Sequence, residues 1–233
     1  RQYVKKITTT LGDNLRCEAN ILGLERRGGG VVLSIEGEGE IYYDKVILAA
    51  HADQSLRLIR DASDDEKRVL GAFDFQPNRV VLHSDTRLMP KRKAAWASWS
   101  YLKSVAAETG ETELCVTYWM NRLQSLEEKY PLFVTLNPET RPQADLIHRE
   151  IDYQHPVFDS KAIQAQQNLP EIQGRNGLFW CGAWTAYGFH EDGLKSAVSM
   201  IKSLDIDIPW NSPTKAVAPV RPQGTEELQG KPA

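Results

Sequence analysis

The stretch Gly177-Leu-Phe-Trp-Cys-Gly-Ala-Trp-Thr-Ala-Tyr-Gly-Phe-His-Glu-Asp-Gly-Leu-Lys-Ser-Ala-Val-Ser-Met-Ile-Lys-Ser-Leu204 decides the fold class that the sequence predicts. Residues 178–181 form an apolar run short enough for a buried strand, and Gly182 ends that run before an aromatic loop. From Asp192 onward apolar residues recur at helical spacing, and Asp192 stands where an N-cap is expected. The order is strand, glycine loop, helix. A helix start beyond a strand end suits an anion or a partly negative ring edge, although an ordinary α/β connection has the same pattern.

The residues Trp180-Cys-Gly-Ala-Trp-Thr-Ala-Tyr-Gly-Phe-His-Glu-Asp-Gly-Leu-Lys-Ser-Ala197 resemble the C-terminal flavin-binding segment of the FAD-dependent amine oxidase and desaturase superfamily. Within that superfamily they look most like predicted NAD/FAD-binding oxidoreductases associated with cyclopropane fatty acid synthases. The resemblance runs over roughly residues 1–210. Many members of the superfamily have Gly-Glu where this chain has Gly182-Ala183, so the chain lacks a carboxylate at that point.

The resemblance implies an α/β fold, α+β in this fragment: a partial FAD/NAD(P)-binding Rossmann-like domain with an inserted antiparallel-sheet substrate domain. Residues 1–55 and 172–204 would belong to the FAD-binding domain, and residues 56–171 to the substrate domain. The cofactor would be FAD, with backbone at Ile21 near the adenine and Gly182-Ala183 near the pyrophosphate or ribityl chain. The amides of Asp192, Gly193 and Leu194 would face the pyrimidine edge of the flavin.

The aromatic loop supplies the residues that the resemblance places beside the ring. Trp184, Tyr187 and Phe189 would form part of a substrate wall there. His190 and Glu191 are the titratable pair next to the predicted ring, and His190 is a candidate proton acceptor. Surface or hydrogen-bonding duty is the alternative for His190. No acid–base triad stands out, as expected when the cofactor carries the reactive chemistry.

Composition limits the function classes. A net charge of −3 argues against a general nucleic-acid binder, which needs a basic face. The sequence has no apolar run of the ~18 residues that span a bilayer, and none of its apolar runs resembles a signal peptide. Three scattered cysteines without a CxxC pair suit a reducing compartment, which predicts a cytoplasmic protein. His148 and His155 have no carboxylate or cysteine at ligand spacing, so no metal site is predicted.

The sequence contains no G-x-G-x-x-G after an apolar strand, the usual dinucleotide fingerprint. The triplet Gly28-Gly29-Gly30 lies between two strand-like runs and predicts a hairpin turn. Because the chain begins with Arg1 inside a helix-like segment, we interpret it as a piece of a longer protein. We therefore expect the isolated fragment to bind FAD poorly.

The coarse secondary structure fits this division. Helices are predicted over residues 2–11, over 63–72 behind a Ser63–Glu66 capping box, and over 160–167. Residues 46–50 predict a strand buried on both faces. Residues 77–153 predict an antiparallel sheet with aromatic residues on both faces, about half of them core and the rest a substrate wall. The Pro-rich segment 205–233 is predicted to be disordered.

These observations predict an FAD-dependent oxidoreductase that transfers hydride from an apolar, lipid-like small molecule to flavin, with no transmembrane segment. The resemblance adds a functional link to a cyclopropane fatty acid synthase. Two alternatives stay open. One is a flavin amine oxidase acting on a primary or secondary amine; the other is a non-catalytic binding module on a degenerate flavoprotein fold.

Overall fold

The computed structural model describes residues 2–105, 112–208 and 210. Helix α1 spans Gln2–Leu11 and, after a turn, leads to a three-stranded antiparallel sheet of β1 (Ile21–Arg27), β2 (Gly30–Ile35) and β3 (Gly39–Tyr43). Gly28 and Gly29 join β1 to β2 with φ angles of +61° and +89°, which glycine adopts without strain. The predicted hairpin is confirmed.

Strands β4 (Val46–Leu48) and β10 (Leu178–Trp180) form a parallel pair in which Phe179 lies opposite Ile47. The predicted strand at the start of the deciding stretch is therefore confirmed. The expectation that residues 46–50 are buried on both faces is wrong for Ile47, whose side chain is 45% exposed. Its outward face has no covering element among the described residues.

Three short helices pack on these strands: α2 (Ala52–Leu58), α3 (Asp64–Leu70) and α5 (Ser160–Asn168). Helix α3 begins at the predicted capping box, in which the Glu66 amide donates to Ser63 Oγ and the Ser63 amide donates to the Glu66 carboxylate. One hydrophobic core joins the helices to the strands, and its largest fully buried members are Leu24, Leu70, Phe73, Ile172, Leu178 and Trp180. Residues on both sides of the predicted boundary at 55/56 thus share this core.

The second part is a five-stranded antiparallel sheet, as predicted. It consists of β5 (Phe75–His83), β6 (Trp99–Val105), β7 (Thr112–Trp119), β8 (Phe133–Leu136) and β9 (Ile147–Pro156), in the order β6-β7-β8-β5-β9. The five-residue helix α4 (Met120–Gln124) connects β7 to β8. The mixture of helices with antiparallel sheets makes this an α+β chain, which confirms the predicted fold class.

The two faces of this sheet differ. Trp119 lies opposite Phe133 on one face, where a closed cluster also includes Met89 and Trp96. Tyr118, the residue before Trp119, lies on the other face, opposite Trp99 of β6, and the two ring centroids are 5.3 Å apart. Trp99 and Tyr101 are exposed on that face. The prediction that about half of these aromatic residues are core is confirmed.

Helix α6 spans His190–Lys202 and completes the deciding stretch. Apart from residues 205–208 and 210, the predicted disordered tail lies outside the described residues. Within the described part of the chain, no helix is both long and apolar enough to cross a membrane. Over the same residues, no group of three or more His, Cys, Asp or Glu side chains could hold a metal ion.

Candidate functional site

The site lies where the parallel strands β4 and β10 end. The amide of Cys181, the residue after β10, donates to the Leu48 carbonyl at 3.2 Å, and this is the last hydrogen bond between the two strands among the described residues. In open α/β sheets, ligands bind in the crevice beyond the carboxyl ends of such strands. Burial raises the pKa of the Cys181 thiol, so this cysteine is a packing residue rather than a ready nucleophile.

Gly182 turns the chain from β10 toward α6. Its amide donates to Ser196 Oγ at 2.9 Å, and the same hydroxyl donates to the Gly193 carbonyl at 2.7 Å. A Cβ at position 182 would lie 2.6 Å from Trp184 Nε1, closer than any side chain tolerates. Glycine is therefore required for the loop to pass this indole, and Ser196 fixes the loop to the helix.

The first predicted wall residue, Trp184, packs inward. It is buried in the main core, where its ring centroid lies 4.7 Å from that of Phe73 in an edge-to-face arrangement, and its Nε1 donates to the Ala50 carbonyl at 3.0 Å. Gln166 of α5 donates to the carbonyls of Trp184 and Ala186 at 3.0 and 2.7 Å. These bonds hold the aromatic loop from both sides.

The other two wall residues face outward. Tyr187 and Phe189 are 72% and 60% exposed. Between them, Gly188 has a φ of +87° and lies against the ring of Phe158, which would contact a Cβ at 3.3 Å. The structure therefore brings Tyr187 and Phe189 to one surface loop and separates Trp184 from them.

Helix α6 begins three residues earlier than an N-cap at Asp192 predicts, with Phe189 at the N-cap position. The expected N-cap role of Asp192 is thus wrong. This residue occupies the third helical position, and its carboxylate accepts from the amides of Phe189 and Tyr187 at 3.0 and 3.2 Å. The sequence pattern missed the start because the first turn, His190–Glu191, carries no apolar residue.

The amides at the helix start are partly used. Those of Asp192 and Gly193 donate to the Phe189 carbonyl at 3.0 and 3.2 Å. The first-turn amides of His190 and Glu191 have no backbone acceptor among the described residues. These two amides therefore form the positive end of the helix, just before the predicted amides of Asp192, Gly193 and Leu194. Such amides can bind partly negative ligand atoms.

The remaining predicted residues lie at different distances from this loop. Ala183 adjoins Gly193, since a Cβ at position 193 would lie 3.7 Å from the Ala183 amide nitrogen. Leu194 is 48% exposed on α6. Ile21 begins β1, at the edge of the three-stranded antiparallel sheet. His190 is exposed, and its role as proton acceptor stays a prediction.

The antiparallel sheet meets this site through two aromatic residues. Phe75, the first residue of β5, stacks on the imidazole of His51 with centroids 4.2 Å apart and planes 8° apart. Phe158, two residues beyond the end of β9, lies against Gly188 of the aromatic loop. This junction places the sheet beside the carboxyl ends of the parallel strands. His51 lies just beyond the end of β4, and its stacking partner Phe75 is distant in sequence.

A scan against protein-family models finds no match, and a search of curated proteins also finds none. Solved structures do match. A CLA-producing fatty acid isomerase from P. acnes superposes with a TM-score of 0.60 at 14% identity over 87% of this chain. Wild-type putrescine oxidase bound to putrescine gives 0.58 at 9% over 88%, and cyclohexylamine oxidase from Brevibacterium oxydans IH-35A gives 0.55 at 11% over 88%.

This chain spans about half the length of each of these solved proteins, 51%, 52% and 53% respectively. At such identities the likeness concerns the fold. The chain therefore shares the fold of about half of each of these three proteins.

Proposed function

We propose that the chain is part of an FAD-dependent oxidoreductase. The observation that carries this proposal is the glycine loop between β10 and α6. It sets two first-turn amides, which have no backbone acceptor among the described residues, beside exposed aromatic rings at the carboxyl ends of a parallel strand pair. The shared fold with enzymes named as oxidases supports the same interpretation.

The residues present fit a flavin. Gly182 and Ala183 would carry the backbone past the pyrophosphate or ribityl chain, and the start of α6 would face the pyrimidine edge. Asp192, Gly193 and Leu194 remain the proposed contacts there, joined by the amides of His190 and Glu191, while Ile21 would contact the adenine. Bound FAD would supply a hydride acceptor, and the helix dipole stabilises negative charge beside it.

The proposed substrate is apolar. Tyr187 and Phe189 at the loop, with Trp99 and Tyr101 on the open sheet face, offer aromatic surface. The neighbouring fatty acid isomerase supports a lipid-like molecule. The putrescine-bound oxidase supports the competing proposal, a primary or secondary amine.

Three finer expectations stay predictions. The first is the division of the chain into a cofactor domain of residues 1–55 and 172–204 and a substrate domain of residues 56–171. Helices α3 and α5 fall in the second range but share one hydrophobic core with strands of the first. The link to a cyclopropane fatty acid synthase rests on the resemblance alone. A cytoplasmic location rests on the cysteine pattern alone.

The decisive experiment is an absorption spectrum of the protein produced from its natural start. We expect a bound-flavin spectrum that bleaches on anaerobic reduction, and little flavin on the 233-residue chain. Anaerobic bleaching by oleic acid, octylamine or putrescine then separates lipid from amine substrates. A folded, colourless protein that takes up no added FAD would refute the oxidoreductase proposal and leave the binding module.

A further inference from the structure

His51 and Asp53 face each other through two buried polar atoms that make no hydrogen bond among the described residues. His51 Nδ1 and Asp53 Oδ1 lie 3.9 Å apart, and neither has a hydrogen-bond partner among the described residues. Buried polar atoms are normally paired, and those that are not call for an explanation. Ser55, on the following turn of α2, is fully buried with an unpartnered hydroxyl as well, within the same described part of the chain.

The surroundings hold both side chains in place. The outer oxygen of Asp53 accepts from Arg57 at 2.8 Å, so the free oxygen is the one that faces His51. The imidazole lies flat on Phe75. The 3.9 Å separation is about 1 Å longer than a hydrogen bond, so a shift of that size would let Nδ1–H donate to Oδ1.

The opposite edge of the ring is accessible. The His51 side chain is 36% exposed although Nδ1 is buried, so the exposed surface belongs to the Nε2 and carbon edge. His51 follows Ala50, whose carbonyl accepts from Trp184 of the aromatic loop. The ring therefore stands at the junction of the loop and the antiparallel sheet.

We propose that Asp53 holds His51 as the Nδ1–H tautomer and thereby presents Nε2 as a proton acceptor at this junction. A bound molecule with an O–H or protonated N–H group would transfer that proton to Nε2, and the Asp53 carboxylate would balance the resulting imidazolium. The inference rests on the proposed function for its substrate. It makes His51, rather than His190, the acid–base residue, with Asp53 as its positioning residue.

The tautomer can be measured in the 233-residue chain without cofactor or substrate. Long-range ¹H–¹⁵N correlation spectra of ¹⁵N-histidine-labelled protein at neutral pH distinguish protonated from unprotonated ring nitrogens, and His51→Gln assigns the signal. We expect Nδ1–H in the wild type, a shift to Nε2–H in Asp53→Asn, and no change in the control Gln54→Ala, at an exposed residue of the same helix. A wild-type His51 with its proton on Nε2 would overturn the proposal, whatever the variants do.

Accessibility of Nε2 is tested by diethyl pyrocarbonate with peptide mapping. We expect His51 to be acylated readily, several-fold more slowly in Asp53→Asn, and buried His83 to be spared. If wild-type His51 were not acylated, the proposal that its Nε2 is accessible would be overturned. Failure of the longer protein to bind FAD would refute the oxidoreductase alone, because neither measurement uses flavin.

Discussion

At the scale of single residues, Gly182 and Gly193 of the site should respond differently when each is replaced by alanine. In Gly182→Ala the new methyl group would collide with Trp184 and disturb its bond to Ala50, so we expect a loss of roughly 1–3 kcal/mol in unfolding free energy. Gly193→Ala meets only an ordinary contact at 3.7 Å and suits a helix, so the fold should be unharmed or stabilised by up to about 1 kcal/mol. Urea unfolding measures both.

For the protein produced from its natural start, the proposed flavin site predicts that position 193, which tolerates alanine for stability, does not tolerate it for cofactor affinity. Gly193→Ala would place a methyl group where the flavin edge is proposed, and FAD should dissociate more readily than from a protein changed at exposed Lys195 on α6. Fluorescence of released flavin gives the affinity. Wild-type affinity in Gly193→Ala would exclude this helix start as the ring-binding surface.

A buried histidine makes the stability of the antiparallel sheet depend on pH. His83 Nδ1 accepts from the Asp85 amide at 3.1 Å, and Nε2 lies 2.8 Å from Thr135 Oγ1, so the ring is bonded as the neutral form. Burial lowers the pKa of His83 below its ordinary 6.5, against a smaller opposing effect of the Asp85 carboxylate. The unfolded chain therefore takes up this proton more readily, and the stability that is full above pH 6.5 falls below it. Each tenfold difference in proton affinity between the unfolded and folded ring corresponds to about 1.4 kcal/mol.

Urea midpoints between about pH 7.5 and 5 check this expectation. His83→Gln removes the titration and should flatten the curve in that range. Arg87 lowers the pKa of Asp85 by direct hydrogen bonds, and that contribution is lost only below about pH 4. An unaltered slope in His83→Gln would show that another group titrates.

At the scale of elements, Asp192 links the aromatic loop to the start of α6. Asp192→Ala removes the acceptor for the amides of Tyr187 and Phe189 and should cost about 1–2 kcal/mol. Glu191→Ala, on the neighbouring exposed residue, is the matched control and should change stability by less than about 0.5 kcal/mol. Thermal unfolding compares them; equal effects would argue against the loop-holding role.

Elements were predictable where their signals are local. The Ser63–Glu66 capping box and the Gly28-Gly29 hairpin each lie within four residues, and both appeared as expected. The start of α6 was misplaced because an acidic residue favours both the N-cap and the third helical position. The His51–Phe75 stack could not be predicted, since it depends on how two distant segments meet.

For the whole molecule, the exposed apolar side chains of Ile47 and Leu194 fit a chain that spans half of its structural neighbours. We propose that further parts of the proposed flavoprotein cover them. In the 233-residue chain, Ile47→Ser with Leu194→Ser should lower binding of the dye ANS and leave stability nearly unchanged. In the longer protein the same pair should destabilise. If the double substitution changed stability equally in the two proteins, the proposal that Ile47 and Leu194 are covered in the longer one would be contradicted.

The pairing of β4 with β10 has a consequence for the order of folding. It joins Leu48 to Trp180, so the chain between them must first be gathered into a loop of roughly 130 residues, at an entropic cost of about 4 kcal/mol. Contacts of such long range form late. Pulse-labelling hydrogen exchange during refolding should therefore find the amides of the β1–β2 hairpin protected before those of β10. The glycine loop would then be the last part of the molecule to take shape.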